Sequence, residues 1–140
     1  MKKIILIGAG GHCVSCADVI ELQRKFKIVG LIDNKKEKFL LDYKIIGSDK
    51  ELKKLSKRIQ YALITVGHIK NSKIRENLFK KVLNYGFKFP TIVSPLSYVS
   101  KRATIREGTI VMHGSIINAG AKIGKNCIIN NKTLVEHDVV

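Results

Sequence analysis

The sequence of 140 residues lacks the features that would place it at or across a membrane. It contains no run of about 18 consecutive apolar residues, so no membrane span is predicted. The apolar stretch that follows residues 1–3 resembles a signal peptide only at its start. A Gly-rich segment, then His12 and Asp18, interrupt that stretch, and a first strand is the better interpretation. We therefore expect a cytoplasmic protein.

Acidic residues are few, with 11 Asp and Glu against 26 Lys and Arg, and the formal net charge is +15. Such an excess can indicate nucleic-acid binding. Here the lysines are spread along the whole chain, aromatic residues make up only 6% of it, and no helix-turn-helix or zinc-finger pattern occurs. We interpret the charge as a Lys-rich surface that also attracts anionic small molecules, and we expect no nucleic-acid partner.

Cysteine is rare as well, with three in the chain. Cys13 and Cys16 form a CxxC pattern, which can be a redox dithiol or half of a zinc site. The sequence has no second CxxC, and this segment lies where a helix should pack on a sheet, a contact that suits small reduced side chains. We interpret both cysteines as packing residues and expect no metal site.

The last third of the chain contains a repeat of six residues. Neither the helical period of 3.6 nor the strand period of 2 produces such a pattern. A hexapeptide period predicts a β-helix, in which short strands wind into a prism and the repeated aliphatic side chains fill its core. The aliphatic positions are Val99, Ile105, Val111, Ile117, Ile123, Ile129 and Val135, and the small or short branched residues four places later are Ala103, Thr109, Ser115, Ala121, Cys127, Thr133 and Val139.

The preceding part alternates apolar strands with amphipathic helices. Strands are predicted over residues 3–7, 28–32, 43–46, 61–66 and 87–93, with helices after residue 13, over about 49–56, and from Asn71 or Ser72 to a C-cap at Gly86. The third helix should turn Ile74, Leu78, Val82 and Leu83 inward. This pattern predicts a small Rossmann-like α/β domain with a parallel sheet over residues 1–95, followed by the β-helix over 96–140.

A Gly-rich turn, in which Gly8, Gly10 and Gly11 precede His12, joins the first strand to the first helix. Glycines let the backbone approach a ligand, and the helix N-terminus offers N–H groups to an anion. The dinucleotide fingerprint is incomplete, because Cys13 stands at the third glycine position, and an NAD-dependent oxidoreductase is disfavoured. His12 could contact a substrate or cap the helix from an exposed loop.

Other polar positions lie beyond the carboxyl ends of predicted strands, where ligands bind in open α/β sheets. Asp33 could hold a ribose hydroxyl or form a simple Asp-Asn turn. Gly67 and His68 follow the strand at 61–66. Arg75, in the first turn of the next helix, should form a surface ion pair, with a nucleotide contact as the alternative.

The hexapeptide repeat, the Gly-rich turn and the segment Glu136-His137-Asp138 together resemble the bacterial hexapeptide-repeat sugar acetyltransferases. The similar group is the one related to sialic acid O-acetyltransferase and UDP-4-amino-sugar N-acetyltransferase. The resemblance covers essentially the whole chain and implies a left-handed parallel β-helix. Family members continue for several more coils, so we expect an incomplete β-helix, a truncated form, and poor acetyl transfer by these 140 residues alone.

The resemblance also implies roles for residues near the end of the chain. Acetyl transfer from acetyl-CoA needs a base for the acceptor amine or hydroxyl, and a neutral histidine suits this task. His137 matches the family's general base, which lies at the seam between subunits of a homotrimer. Asp138 is the favoured orienting carboxylate and Glu136 the alternative. Asn130 matches an active-site asparagine, or it is a corner residue in a left-handed conformation.

By the same resemblance, the N-terminal domain holds a nucleotide sugar. We therefore predict an acetyl-CoA-dependent acetyltransferase that acts on the amine of a UDP-linked amino sugar and needs no metal or redox cofactor. O-acetylation of a sialic acid hydroxyl and a non-catalytic nucleotide- or sugar-binding protein are the alternatives. The substrate-binding residues predicted are Gly8, Gly10, Gly11, His12, Asp33, Gly67 and Asn130.

Overall fold

A computed structural model describes residues 1–67 and 72–140, and it divides the chain into two compact units, Met1–Phe89 and Pro90–Val140. The first is an α/β domain and the second a parallel β-helix of hexapeptide repeats, so the predicted fold class is confirmed. The division precedes the predicted boundary at residue 95, because Ile92 and Val93 already pair with a strand of the β-helix.

The first unit contains one sheet of five strands: β1 (Lys2–Ile7), β2 (Phe26–Ile32), β3 (Phe39–Leu40), β4 (Tyr43–Gly47) and β5 (Tyr61–Ile64). Their order in the sheet is β3-β4-β2-β1-β5. All neighbouring strands are parallel except the edge strand β3, which is antiparallel to β4.

The helices of this unit are α1 (Gly11–Gln23), α2 (Leu52–Leu55, preceded by a 3₁₀ turn over Asp49–Glu51) and α3 (Lys73–Asn84). None of the helices within the described residues is long and apolar enough to cross a membrane.

The interior position of β1 explains its apolar sequence. It pairs with β2 on one side and β5 on the other, and its residues Ile4, Ile5, Leu6 and Ile7 are all buried. A strand covered on both faces cannot alternate apolar and polar side chains, so it appears in the sequence as a continuous apolar run. The apolar run near the start of the chain therefore marks an interior strand of the sheet.

Helix α3 buries only part of the predicted face: Val82 is fully buried and Leu78 packs against the core, as predicted, but Ile74 and Leu83 do not turn inward. Arg75, Phe79 and Val82 are the buried residues, whereas Ile74 is 67% exposed and Leu83 is 45% exposed. The spacing of four and then three residues places these buried side chains on one helical face. Asn71, one of the two predicted starting residues, lies outside the described residues, as does His68. The C-cap is Tyr85 rather than the predicted Gly86, but Gly86 follows it in the predicted left-handed conformation, with φ +99°.

The predicted strand over residues 87–93 is wrong, because two separate structures share that segment. Phe87 and Phe89 are buried in the core of the α/β domain, and Lys88 forms a single parallel bridge to Tyr61. Ile92 and Val93 form the first strand of the β-helix, parallel to Ile110 and Val111.

The β-helix has three faces, and residues 18 positions apart in the sequence stack from coil to coil. Its inner ladder contains the predicted aliphatic positions, with Val111 and Ile117 fully buried and Ile123 9% exposed. One face is β6 (Ile92–Val93), β9 (Ile110–Val111) and β12 (Ile128–Ile129); the next is β7 (Tyr98–Val99), β10 (Ile116–Ile117) and β13 (Leu134–Val135); the third is β8 (Thr104–Ile105) and β11 (Lys122–Ile123).

Hydroxyl groups at the small-residue positions connect successive coils. The Oγ1 of Thr109 donates to the carbonyl of Gly124 at 2.7 Å and accepts the N–H of Cys127 at 2.9 Å. Ser115 repeats the arrangement six residues later with the carbonyl of Asn130 and the N–H of Thr133. Both side chains are buried, so each hydroxyl satisfies backbone groups that would otherwise lack partners. At these two positions the small residue thus supplies a hydrogen bond between coils as well as a small volume.

Left-handed residues mark the corners of the β-helix at the same interval of six. Three successive corners use Gly108, Gly114 and Gly120, with φ between +72° and +80°. The next three use residues with side chains, namely Asn126, Lys132 and Asp138, with φ between +55° and +61°. Glycine takes this conformation freely, while other residues pay a steric cost that asparagine and aspartate reduce by local hydrogen bonding.

Candidate functional site

The Gly-rich turn of the first unit is fitted closely against the end of β5. Gly8 has φ +113°, and a Cβ there would lie 2.6 Å from Val66 Cγ2 and 2.9 Å from Val66 N. The carbonyl of Gly8 accepts a hydrogen bond of 2.6 Å from the hydroxyl of the buried Thr65. Gly10 and Gly11 are exposed, and a Cβ at either would meet nothing within 4 Å. Gly8 therefore fixes the turn, while Gly10 and Gly11 leave backbone open to a ligand.

Asp33, at the end of β2, holds this turn in place. One carboxylate oxygen accepts the N–H of Ala9 at 2.7 Å, and the other accepts the N–H of Lys35 at 3.1 Å. The Lys35 ammonium donates in turn to the carbonyl of Ala9. The sequence predicted the turn at Asp33 but not its bond across to the Gly-rich turn. A ribose contact by Asp33 stays a prediction.

His12 lies half-buried at the start of α1, beside Gly67 and Cys16. A Cβ on Gly67 would lie 3.4 Å from the Cβ of His12, so the two positions are in contact. The Nε2 of His12 is 3.3 Å from the Sγ of Cys16. Burial, and secondly the positive charge of Arg75, lower the pKa of His12 below its ordinary value, which favours the neutral ring.

Arg75 is buried, so its predicted place in a surface ion pair is wrong. It is 4% exposed, and its Nη1 donates to the carbonyls of Ile64 and Val66, each at 2.9 Å. These carbonyls lie where β5 ends, beside the Gly-rich turn. Arginine is rarely buried without such partners, so its type alone favoured the surface. The contrary signal was its alignment with Phe79 and Val82 on one helical face.

The CxxC pattern occupies the buried side of α1, and its cysteines are free thiols. Burial raises the pKa of the Cys13 thiol and raises that of Cys16 to about 12, so both stay protonated. In the part of the chain that the structure describes, no three Cys, His, Asp or Glu side chains are grouped to hold a metal ion. The burial of both thiols supports the packing interpretation.

In the second unit, the structure pairs His137 with Asp138. The Nδ1 of His137 lies 3.1 Å from the Oδ2 of Asp138, and the side chains are 77% and 79% exposed. The carboxylate that contacts the ring is thus that of Asp138, the orienting residue favoured over Glu136. When Nδ1–H donates to this carboxylate, the lone pair of Nε2 remains available to take a proton. The pair has the form of a histidine base with an orienting acid.

The other residues predicted near this pair are placed differently. Glu136 is exposed and directly precedes His137. Asn130 follows β12, one corner earlier in the chain than His137, and its carbonyl accepts hydroxyl groups from Ser115 and Thr133. The interpretation of Asn130 as a left-handed corner residue is wrong, because that conformation falls on Lys132 of the same turn.

Comparison with protein families and curated proteins identifies relatives of both units. Residues 3–82 match the model of the PglD N-terminal domain, and residues 102–137 match the bacterial transferase hexapeptide (six repeats). UDP-N-acetylbacillosamine N-acetyltransferase of Bacillus subtilis (strain 168) is 32% identical over 113 residues, which are 80% of this chain and 52% of that protein. The chain thus spans about half of this curated relative.

Solved structures of similar fold span a greater length than this chain. The acetyltransferase domain of PglB from Neisseria gonorrhoeae FA1090, in complex with acetyl coenzyme A, is 28% identical with a TM-score of 0.90, over 98% of this chain and 65% of that one. A variant of perosamine N-acetyltransferase from Caulobacter crescentus, in complex with CoA and GDP-perosamine, is 25% identical with a TM-score of 0.91, over 99% and 64%.

Proposed function

We propose, since this chain belongs to the family of the PglD N-terminal domain and carries the hexapeptide repeats of bacterial transferases, that it is part of an acetyl-CoA-dependent sugar N-acetyltransferase. The acceptor is the amine of a nucleotide-linked amino sugar. The observation that carries this proposal is the pair of His137 and Asp138, exposed at a corner of the β-helix. A cytoplasmic location remains a prediction.

The proposed reaction uses this pair as base and orienting group. The amine nitrogen attacks the thioester carbonyl of acetyl-CoA, the new C–N bond forms, and the C–S bond breaks with CoA as the leaving group. The amine must lose a proton as it attacks, and Nε2 of His137 takes it. The Asp138 carboxylate stabilises the resulting imidazolium. Neither a metal nor a redox cofactor takes part in this step.

The acceptor is proposed from both the relatives and the first unit. The relatives' names give UDP-linked and GDP-linked amino sugars and transfer to nitrogen, which favours an amine over the hydroxyl of sialic acid. In the first unit the open backbone at Gly10 and Gly11 begins helix α1, an arrangement that suits a diphosphate. His12, at the start of α1, and Asp33 and Gly67, which follow β2 and β5, surround the turn and are the proposed substrate contacts.

Thermal unfolding of the chain in the presence of nucleotides tests this assignment. UDP should raise the melting temperature, because a ligand that binds only the folded state stabilises it, by about 2.7 kcal/mol at 100 times its dissociation constant. GDP tests the alternative base, and CMP and NADH serve as controls. Stabilisation by NADH alone would contradict the proposal, and stabilisation by CMP alone would favour a sialic acid acceptor.

A homotrimer is also proposed, supported by one face of the β-helix. Tyr98, Ile116 and Leu134 stack in register on the outside of β7, β10 and β13, and they are 59%, 45% and 56% exposed. The outward residues of β8 and β11 are instead Thr104 and Lys122. In an oligomer, copies of this chain would bury these exposed apolar residues against one another. We therefore propose that this ladder lies in the contact between subunits.

Substituting Ile116→Glu should separate the proposed trimer, because the carboxylate would be buried without a partner. Light scattering after gel filtration should then give one third of the unmodified mass. Thr104→Glu, an outward strand position on the polar face, is the matched control and should leave the mass unchanged. An unmodified protein that is monomeric at micromolar concentration would refute the trimer.

A further inference from the structure

The left-handed corner at Gly120 lies directly beneath the carboxylate of Asp138. The two positions are one coil apart, and the N–H of Asp138 donates to the carbonyl of Ala119 at 3.1 Å. A Cβ on Gly120 would lie 2.1 Å from Oδ1 of Asp138 and 3.1 Å from its Cγ. Real Cβ atoms are never found so near a carboxylate oxygen, so any side chain at this position must displace the acid.

We propose that Gly120 is a positioning residue for the histidine base, an inference that rests on the proposed function of His137. The space left by its missing side chain contains the Asp138 carboxylate. From that place, the second oxygen, Oδ2, reaches Nδ1 of His137 at 3.1 Å. Gly120 touches neither the ring nor a substrate, and it acts through Asp138.

The neighbouring corner shows that this demand for space is specific. Gly114 has φ +72°, close to the +79° of Gly120, and it lies beneath Lys132 as Gly120 lies beneath Asp138. A Cβ on Gly114 would lie 3.5 Å from the Cγ of Lys132, an ordinary van der Waals contact. The backbone conformation therefore favours glycine at both corners. Of the two, Gly120 alone must also lack a side chain so that the Asp138 carboxylate has room.

A Cβ at Gly120 should move the carboxylate while the coil stays folded. The obstructed atoms belong to the end of the Asp138 side chain, which is 79% exposed and has solvent to turn into. The backbone nitrogen of Asp138 would lie 3.5 Å from the new Cβ, which is tolerable. The result would be a folded β-helix in which Nδ1 of His137 has lost its acceptor.

The tautomer of His137 reports this loss without any need for turnover. In the unmodified protein, neutral His137 should carry its proton on Nδ1, because the carboxylate of Asp138 accepts a hydrogen bond from Nδ1–H. Long-range ¹H–¹⁵N spectra of labelled protein distinguish this tautomer from the Nε2–H form. Gly120→Ala and Asp138→Asn should both shift the population toward Nε2–H. Gly114→Ala should leave it unchanged, although both alanines meet the same left-handed cost.

Kinetics of the protein that contains this chain supply the second readout. Gly120→Ala should lower kcat by about 10-fold to 100-fold with a small change in KM, since a group near the reacting atoms is displaced. In an Asp138→Asn background the same substitution should cause no further loss. Gly120→Asn is the second variant if alanine impairs folding, because asparagine tolerates this conformation and Asn126 already adopts it.

Two results would overturn the role of Gly120. One is a Gly120→Ala protein with the tautomer population and kcat of Gly114→Ala, and the other is an additive loss on top of Asp138→Asn. Failure of the proposed function looks different. In that case the tautomer would respond to Gly120→Ala in a protein that transfers no acetyl group.

Discussion

In a full-length version of the enzyme, replacing His137 with alanine is expected to lower kcat for acetyl transfer by about 100-fold to 10,000-fold, the range that a positioned general base contributes. The physical reason is that the acceptor amine becomes acidic only while it attacks the thioester, so it needs an acceptor for its proton at that moment. His137 is exposed and its Nδ1 is bonded to Asp138, which leaves Nε2 to face the substrate. Release of CoA thiol from acetyl-CoA, with a UDP-linked 4-amino sugar as acceptor, measures the loss.

Two conservative substitutions distinguish the roles of the two carboxylates beside this histidine, Asp138 and Glu136. Asp138→Asn keeps the shape but removes the charge that stabilises the imidazolium, so it should lower kcat by about tenfold or more. Glu136→Gln should have a smaller effect, because the carboxylate bonded to the ring is that of Asp138.

Retained turnover in His137→Ala would remove His137 from the role of base. Transfer to the hydroxyl of sialic acid but not to the amine would replace the proposed acceptor with its alternative.

Arg75→Met is expected to lower the free energy of unfolding of the first unit by about 2–4 kcal/mol, because charged hydrogen bonds to two carbonyls are lost within the core. Methionine can occupy much of the same space, but it leaves the carbonyls of Ile64 and Val66 without this donor. Urea unfolding followed by the helical circular dichroism signal measures the change. Arg58→Met is the matched control at an exposed arginine and should alter stability by less than about 0.5 kcal/mol.

The same substitution should change how stability depends on pH. The folded protein favours neutral His12, whereas the unfolded chain binds a proton near the ordinary pKa of 6.5. Stability from this group is therefore complete above pH 6.5 and is lost as the pH falls toward the lowered pKa of the folded state. Arg75→Met removes the second cause of that lowering, so the pKa of His12 should rise and the loss in acid should shrink. An NMR titration of His12 that is identical in both proteins would contradict this coupling.

The β-helix was predictable because its period is visible in the sequence. A spacing of six has one structural explanation, and the inner ladder at Val111, Ile117 and Ile123 follows from it. The same spacing brought out Thr109 and Ser115 as small residues. Their hydroxyl bonds between coils could not be foreseen, because the partners lie 15 and 18 positions away and are set by three-dimensional stacking.

Errors arose where one local pattern could serve two structures. The segment around Phe87 and Val93 is apolar enough for one strand, yet it fills one core and then begins another unit. Arg75 was assigned to the surface by its charge, although carbonyls at the end of β5 make burial possible. At the proposed catalytic pair, the family resemblance pointed to His137, whereas the importance of Gly120 required coordinates. A glycine in a repeat looks like any other until the atom above it is known.

The stacking of coils also restricts how the length of this domain can change. An insertion of six residues between Gly120 and His137 would advance His137 and Asp138 by one face of the prism, so that Asp138 would no longer lie above Gly120. An insertion of 18 residues would instead add a whole coil and return the later segment to the same corner, displaced along the axis by one strand spacing of about 4.8 Å. Relatives that keep this pair should therefore differ in length before it by whole coils, so that the β-helix behaves as a ruler with one graduation per turn.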